Sequence, residues 1–180
     1  EFAGQKKSAT AAADGRWRVD LDPLPASAIS RDLLITAQHN SKIENQKITD
    51  VLVGEVWLGS GQSNMAMTVN RAQDYETEKA AANFPLIRHF KEESPNSATP
   101  QTVGKGRWVL TAPDAVGGFS AALYFFGREL HQTLRVPVGL INSSVGGTPI
   151  EAWIADDVQK NDPALQAAIT ALPKVTTTPA

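Results

Sequence analysis

Apolar and polar residues alternate along the first part of the chain. After an Asp14-Gly15 turn signal, Trp17, Val19 and Leu21 fall on one side of an extended backbone, with charged residues between them. The stretch RDLLITAQ repeats this period of two, and KIENQKI is typical of a turn between two short strands. We therefore expect this part of the chain to be β structure.

The pattern changes at Val51. The near-continuous apolar runs VLVGEVWL and RVPVGLINSS predict strands covered on both faces, and FPLIRHF and GRWVLT predict shorter strands. Before the last strand, one apolar stripe with helical spacing consists of Phe119, Leu123, Phe126, Leu130 and Leu134. Buried strand, helix and buried strand in this order predict βαβ crossovers, and hence an α/β fold with a parallel sheet.

Composition excludes several classes of partner. The net charge of −2, with scattered Lys and Arg, does not provide the basic stripe that nucleic acid requires. The apolar runs are far shorter than the roughly 20 residues that span a bilayer, so no membrane partner is expected. The chain has no cysteine, and its three histidines lack the spacing of a metal site, so no bound metal is expected.

The first candidate site is the turn GSGQSNM at residues 59–65, directly after a predicted strand. Ligands of α/β folds bind at the carboxyl ends of the strands, where this turn presents the hydroxyl of Ser63. The amides of Gln62 and Asn64 are expected to lock the turn by hydrogen bonding. Serines in glycine-rich turns are common, and Met65 stands where the GxSxG motif requires glycine, so this pattern alone leaves catalysis open.

The second candidate site is the turn in GGTPIEAW, after the last predicted strand. Thr148 as N-cap, with Glu151 three residues later, predicts a capping box and a helix start. The amides of that helix, together with the backbone N–H groups of Gly146 and Gly147, would suit an anion or oxyanion. An ordinary strand-to-helix connection explains the same residues.

Both turns resemble motifs of the sialate O-acetylesterase family of SGNH-type hydrolases, which is related to acetylxylan esterases. The resemblance runs from about Asp50 to Trp153 and rests on VLVGEVWLGSGQSNM and VPVGLINSSVGGTPIEAW. It implies a flavodoxin-like, three-layer α/β fold with a parallel sheet, and removal of O-acetyl groups from a carbohydrate without metal or cofactor. It gives roles to Ser63 as nucleophile and oxyanion donor and to Gly146 or Gly147 as second donor. Gln62, Asn64 and Asn142 are expected to support the turns.

Two further motifs of that family have no counterpart in the sequence. These are a Gln-Gly-Glu stretch and an Asp-x-x-His that supplies the base; residues three before His39, His89 and His131 are not aspartate. We therefore expect an N-terminal part of the catalytic unit, completed by a C-terminal chain or segment that carries the catalytic histidine. The expected boundaries are a partial β accessory region at 1–50, the N-terminal part of the esterase domain at 51–170, and a linker or cut end at 171–180.

Two other functions remain open on the sequence. The first is a catalytically silent carbohydrate-binding or scaffold module of the same fold, in which Trp57, Trp108 or Trp153 stacks on sugars. The second and weaker one is a phosphate- or nucleotide-binding domain, although neither GxGxxG nor a P-loop follows the first buried strand.

Overall fold

The computed structural model describes residues 1–39, 42–95, 97, 99 and 101–171. Six strands are described there: β1 Ser27–His39, β2 Lys42–Val53, β3 Glu55–Gly61, β4 Phe84–Lys91, β5 Trp108–Thr111 and β6 Val138–Ser144. The α-helices in the same residues are α1 Ser63–Ala66, α2 Tyr75–Ala81, α3 Ala121–Leu134, α4 Asp156–Asn161 and α5 Pro163–Ala171. Short 3-10 turns lie at Val69–Arg71, Val116–Gly118 and Ile150–Trp153.

None of the described helices is long and apolar enough to cross a membrane. Of the tail expected at 171–180, all but the first residue lies outside the described residues.

Strands β1 and β2 form a separate antiparallel hairpin. The predicted strand in RDLLITAQ is confirmed within β1, but KIENQKI is not a turn, because it lies inside β2. The strand expected around Trp17 is also wrong: residues 16–26 are irregular, and Trp17 is 56% exposed. A strand needs a neighbouring backbone for its hydrogen bonds, and alternation alone does not supply one.

The other four strands form one sheet in the order β3-β6-β4-β5. Strands β3, β6 and β4 are parallel, whereas β5 runs antiparallel to β4. The α/β prediction is confirmed, but the sheet is mixed and not wholly parallel. A parallel neighbour needs a crossover connection, usually a helix, and the described residues between β4 and β5 form no helix.

Helix α3 packs against one face of this sheet. Leu123 of the helix and Ile87, Val138 and Leu140 of the strands form a buried cluster. Two glycines permit the close approach: a Cβ on Gly127 would lie 2.6 Å from Leu140 Cδ1, and one on Gly59 2.7 Å from Leu123 Cδ2. The helix itself was predicted correctly, but its buried face differs from the predicted stripe. The fully buried residues of the helix are Ala121, Leu123, Tyr124 and Gly127, while Phe126 and Leu134 are 40% and 49% exposed.

The opposite face of the sheet is exposed along its outer strands. Val56 and Leu58 of β3 are 63% and 65% exposed, and Trp108 and Leu110 of β5 about half exposed, at 48% and 47%. An open cleft of about 480 Å³ lies between this face and the hairpin. The expectation that VLVGEVWL is one strand buried on both faces is therefore wrong. The run is divided at Gly54 between β2 and β3, and apolar side chains on β3 face solvent because no described element covers them.

Candidate active site

Ser63 lies at the junction between strand β3 and helix α1, and its side chain is exposed. Gln62 is the N-cap of that helix, and its side-chain oxygen accepts from the Ser63 N–H at 3.4 Å. The Ser63 hydroxyl also donates to the same oxygen, at 3.3 Å. The Gln62 side chain thus contacts both the N–H and the hydroxyl of Ser63. The side chain of Asn64 is exposed, and its supporting role stays a prediction.

The second turn lies beside the first because β3 and β6 are parallel neighbours. Gly61 pairs with Ser144 at the carboxyl ends of the two strands, and the N–H of Val145 donates to the Gly61 carbonyl at 3.0 Å. A Cβ placed on Gly146 would lie 3.5 Å from Ser63 Oγ. Gly147 has φ +80°, a conformation that favours glycine. The structure therefore places a bare glycine backbone directly against the candidate nucleophile.

The capping box predicted at Thr148 is wrong. A short 3-10 turn begins at Ile150, its N-cap is Pro149, and no side chain caps it. The Thr148 hydroxyl donates to the carbonyl of Val145 at 2.8 Å and accepts from the indole N–H of Trp153 at 2.8 Å. A single 3-10 turn does not provide the extended dipole that was expected to hold an anion. What remains of the prediction is the glycine backbone itself.

Ser120, for which the sequence predicted no role, supports the serine turn through helix α1. Ser120 is fully buried, caps α3 by accepting from the Leu123 N–H at 3.3 Å, and donates to the carbonyl of Met65 at 2.7 Å. One hydroxyl therefore joins the start of α3 to helix α1. The signal in the sequence was a serine, which is a favoured N-cap residue, next to Phe119 at the start of the predicted helical stripe.

Asn142 lies near the end of β6, on the face beneath α3. It is 4% exposed, and its side-chain oxygen accepts from the Ser144 hydroxyl at 2.6 Å. Its backbone carbonyl accepts from the N–H of Glu92, which follows β4. Asn142 therefore links the ends of two strands beside the site, without a described contact to Ser63.

The histidines whose side chains are described have hydrogen-bond partners other than Ser63. His89 is 3% exposed and stacks on Phe119 at 4.5 Å, and its Nε2 accepts from the Ser120 N–H at 3.4 Å. Burial, with a smaller effect of the Lys91 charge, lowers the pKa of His89 from 6.5 to about 4. His89 is therefore part of the packed core beneath the start of α3.

His131, near the end of α3, is half-buried. Its Nδ1–H donates to the carbonyl of Val136 at 2.7 Å, ahead of β6. The seven residues of β6, about 20 Å of strand, separate Val136 from the glycine turn. His39 ends β1 at the far end of the hairpin. Among the described residues, no three His, Asp or Glu side chains come together as metal ligands.

An exposed serine thus faces a glycine turn at the carboxyl edge of an α/β sheet with an SGNH-like fold. A crystal structure described as that of a novel carbohydrate acetylesterase from Xanthomonas citri has the same fold, with a TM-score of 0.78 and 35% identity. The similarity covers 92% of this chain and 37% of that one. Residues 53–177 match the family described as "Carbohydrate esterase, sialic acid-specific acetylesterase", and the chain belongs to this family.

Curated relatives agree with this assignment. Proteins named sialate O-acetylesterase from Pongo abelii and Homo sapiens are each 33% identical over 159 residues, which cover 83% of this chain and 30% of theirs. The protein of that name from Rattus norvegicus is 34% identical over 158 residues, covering 76% of this chain and 27% of its own. The match thus spans less than a third of the length of these relatives. The family resemblance identified from the two turns is confirmed.

Proposed function

We propose that the protein is a carbohydrate O-acetylesterase of sialic acid or xylan type, with Ser63 as its nucleophile. The observation that carries the proposal is the close approach of Gly146 to Ser63. A Cβ built on Gly146 would lie 3.5 Å from Ser63 Oγ. A serine hydroxyl acts as a nucleophile when amide donors wait for the oxyanion that its attack creates. The names of the relatives, sialate O-acetylesterase and carbohydrate acetylesterase, support an O-acetylated sugar as substrate.

In the proposed reaction, Ser63 Oγ attacks the acetyl carbonyl carbon and a base takes its proton. The carbonyl oxygen becomes an oxyanion and accepts from the backbone N–H of Ser63 and from that of Gly146 or Gly147. The acyl oxygen replaces the Gln62 side-chain oxygen, which accepts from the Ser63 N–H in the free site. The tetrahedral intermediate then breaks its bond to the sugar oxygen, which takes the proton from the base and leaves as the sugar hydroxyl. Water hydrolyses the acetyl-serine to acetate.

The base belongs, in this proposal, to a segment outside these 180 residues. His89 and His131 have other partners, and His39 ends a strand of the hairpin. The exposed apolar side chains of β3 and β5 give such a segment a surface to cover. Residues 51–170 then form the N-terminal part of the esterase domain, and residues 1–50 part of an accessory β region. A purified 180-residue chain that is a monodisperse, cooperatively unfolding monomer would contradict this view.

The test of the nucleophile is acetate release from O-acetylated sialic acid and from acetylated xylan by the full protein. We expect Ser63→Ala to reduce the rate at least a thousandfold, because removing a nucleophile leaves only the binding and oxyanion contributions. The neighbouring Ser60→Ala, in strand β3, is the matched control and should retain activity. Equal rates for wild type and Ser63→Ala would remove Ser63 from the mechanism.

A catalytically silent carbohydrate-binding module is the second candidate. It is favoured by one observation, that the described histidine side chains are held by other partners. This candidate predicts glycan binding without modification of Ser63 by an organophosphonate. Rapid stoichiometric labelling of Ser63 in the full protein would exclude it, and absence of labelling together with glycan binding would support it.

A further inference from the structure

The glycine turn beside Ser63 is anchored through the two peptide units that flank Val145. The N–H of Val145 donates to the carbonyl of Gly61 at 3.0 Å, which fixes the first unit to the end of the nucleophile strand. The carbonyl of Val145 accepts from the hydroxyl of Thr148 at 2.8 Å, which fixes the second. That carbonyl and the N–H of Gly146 belong to the same planar peptide unit, so they cannot turn independently.

The donor and acceptor roles in this arrangement are determined by chemistry. An indole N–H only donates, so the Thr148 hydroxyl accepts from Trp153 at 2.8 Å and keeps its own hydrogen for Val145. Trp153 is half-buried and ends the 3-10 turn at Ile150–Trp153. The side-chain amide of Gln159, in α4, donates to the carbonyl of Glu151 in that turn at 2.7 Å. The indole that donates to the Thr148 hydroxyl therefore belongs to a 3-10 turn that is itself held by a hydrogen bond from α4.

We propose that Thr148, held by Trp153, is a positioning residue that orients the N–H of Gly146 as the second oxyanion donor. The inference rests on the proposed esterase function and goes beyond it, because it selects Gly146 over Gly147. Gly146 is the residue that approaches Ser63 Oγ, whereas a Cβ on Gly147 would meet nothing within 4 Å. The pattern GGT with a tryptophan five residues after the threonine thus has a mechanical role that differs from helix capping.

Thr148→Val is the main test, because valine has nearly the shape of threonine and lacks the hydroxyl. The Val145–Gly146 peptide unit is then free to rotate, and we expect kcat for 4-nitrophenyl acetate to fall about 10- to 100-fold with KM little changed. Thr148→Ser retains the hydroxyl and should retain kcat within about threefold. Thr133→Val removes an exposed hydroxyl near the end of α3 and is the matched control, with kcat expected to be unchanged.

Trp153→Phe tests the chain of contacts, since it removes the indole N–H and keeps an aromatic ring. We expect a smaller fall in kcat than for Thr148→Val, and no further fall when both substitutions are combined, because the two residues act through one peptide unit. Fully additive effects would contradict the inference. So would equal kcat values for wild type and Thr148→Val, or an equal loss in Thr148→Ser and Thr148→Val.

The proposed function is tested in the same series by Ser63→Ala. If Ser63→Ala keeps the wild-type rate, the proposed function and the inference that rests on it both fail. If Ser63→Ala abolishes acetate release and Thr148→Val does not lower kcat, only the role of Thr148 is overturned.

Discussion

Acidification should destabilise the protein through His89, whose imidazole is buried between β4 and the start of α3. The ring stacks on Phe119, and its Nε2 is the acceptor for the Ser120 N–H, so the folded state requires the neutral imidazole. Protonation would place a charge in a nearly water-free position and turn the acceptor into a donor facing another donor. Burial, with a smaller effect of the Lys91 charge, is the cause of the lowered pKa of about 4.

The direction of the pH effect on stability follows from comparing the folded and unfolded states. Unfolded His89 titrates at 6.5 and folded His89 at about 4, so the unfolded chain binds more protons between these values. The contribution of His89 is fully present above pH 6.5 and is lost as the pH falls toward 4. Each pKa unit corresponds to about 1.4 kcal/mol, so the whole effect is about 3 kcal/mol of the free energy of unfolding.

The measurement is urea unfolding of the full protein at several pH values between 7.5 and 4, for wild type and His89→Phe. Phenylalanine keeps the stack on Phe119 and does not titrate. Carboxylates contribute equally to both curves, so the difference between the two proteins isolates His89. We expect the stability advantage of the wild type to shrink by about 3 kcal/mol over this range. Parallel curves, or an NMR titration of folded His89 near pH 6.5, would refute the reasoning.

Two further substitutions test how the serine turn and the helix are held. Ser120→Ala removes the cap of α3 and leaves the Met65 carbonyl without its partner, so we expect a loss of about 1–2 kcal/mol in thermal unfolding and a lower kcat; an unchanged melting temperature would contradict this. Gly127→Ala places a Cβ 2.6 Å from Leu140 Cδ1 and should cost about 1–3 kcal/mol in urea unfolding. Gly118→Ala, where a Cβ would meet nothing within 4 Å, is the control, and equal stability of the two variants would exclude overpacking.

The sequence pattern correctly predicted a helix, whose hydrogen bonds are local, and a strand that lies inside the sheet. Helix α3 was found because apolar residues recur at the helical period, and strand β6 because a near-continuous apolar run is typical of a buried strand. The adjacency of the two turns could also be anticipated, since parallel strands end at one edge of a sheet. The burial of strand β3 was predicted wrongly. An apolar run predicts a buried strand, but whether a strand is buried depends on which elements cover each face of the sheet. That information is not contained in the run itself.

The details of the site depended on contacts between distant residues. Ser120 and Met65 are 55 positions apart, and no local pattern indicates that one hydroxyl caps α3 and holds the turn after β3. At Thr148 the local sequence strongly predicted a helix N-cap, but the hydroxyl bonds to Val145 and Trp153 instead. A threonine hydroxyl can bond to a nearby carbonyl as well as to a helix N–H, and the indole of Trp153 stabilises the first arrangement.

The placement of these contacts limits where a catalytic base can approach Ser63. The Gln62 side-chain oxygen contacts the serine hydroxyl, Gly146 lies against Oγ, and Ser120 holds helix α1 through Met65. The exposed side of the serine faces solvent at the carboxyl edge of the sheet. In the proposed enzyme, a base supplied by another segment would reach Oγ across this edge, next to β3, whose outer apolar face is also exposed. One segment packed along β3 would then satisfy two requirements of the proposed enzyme, because it covers Val56 and Leu58 and brings the base to Ser63.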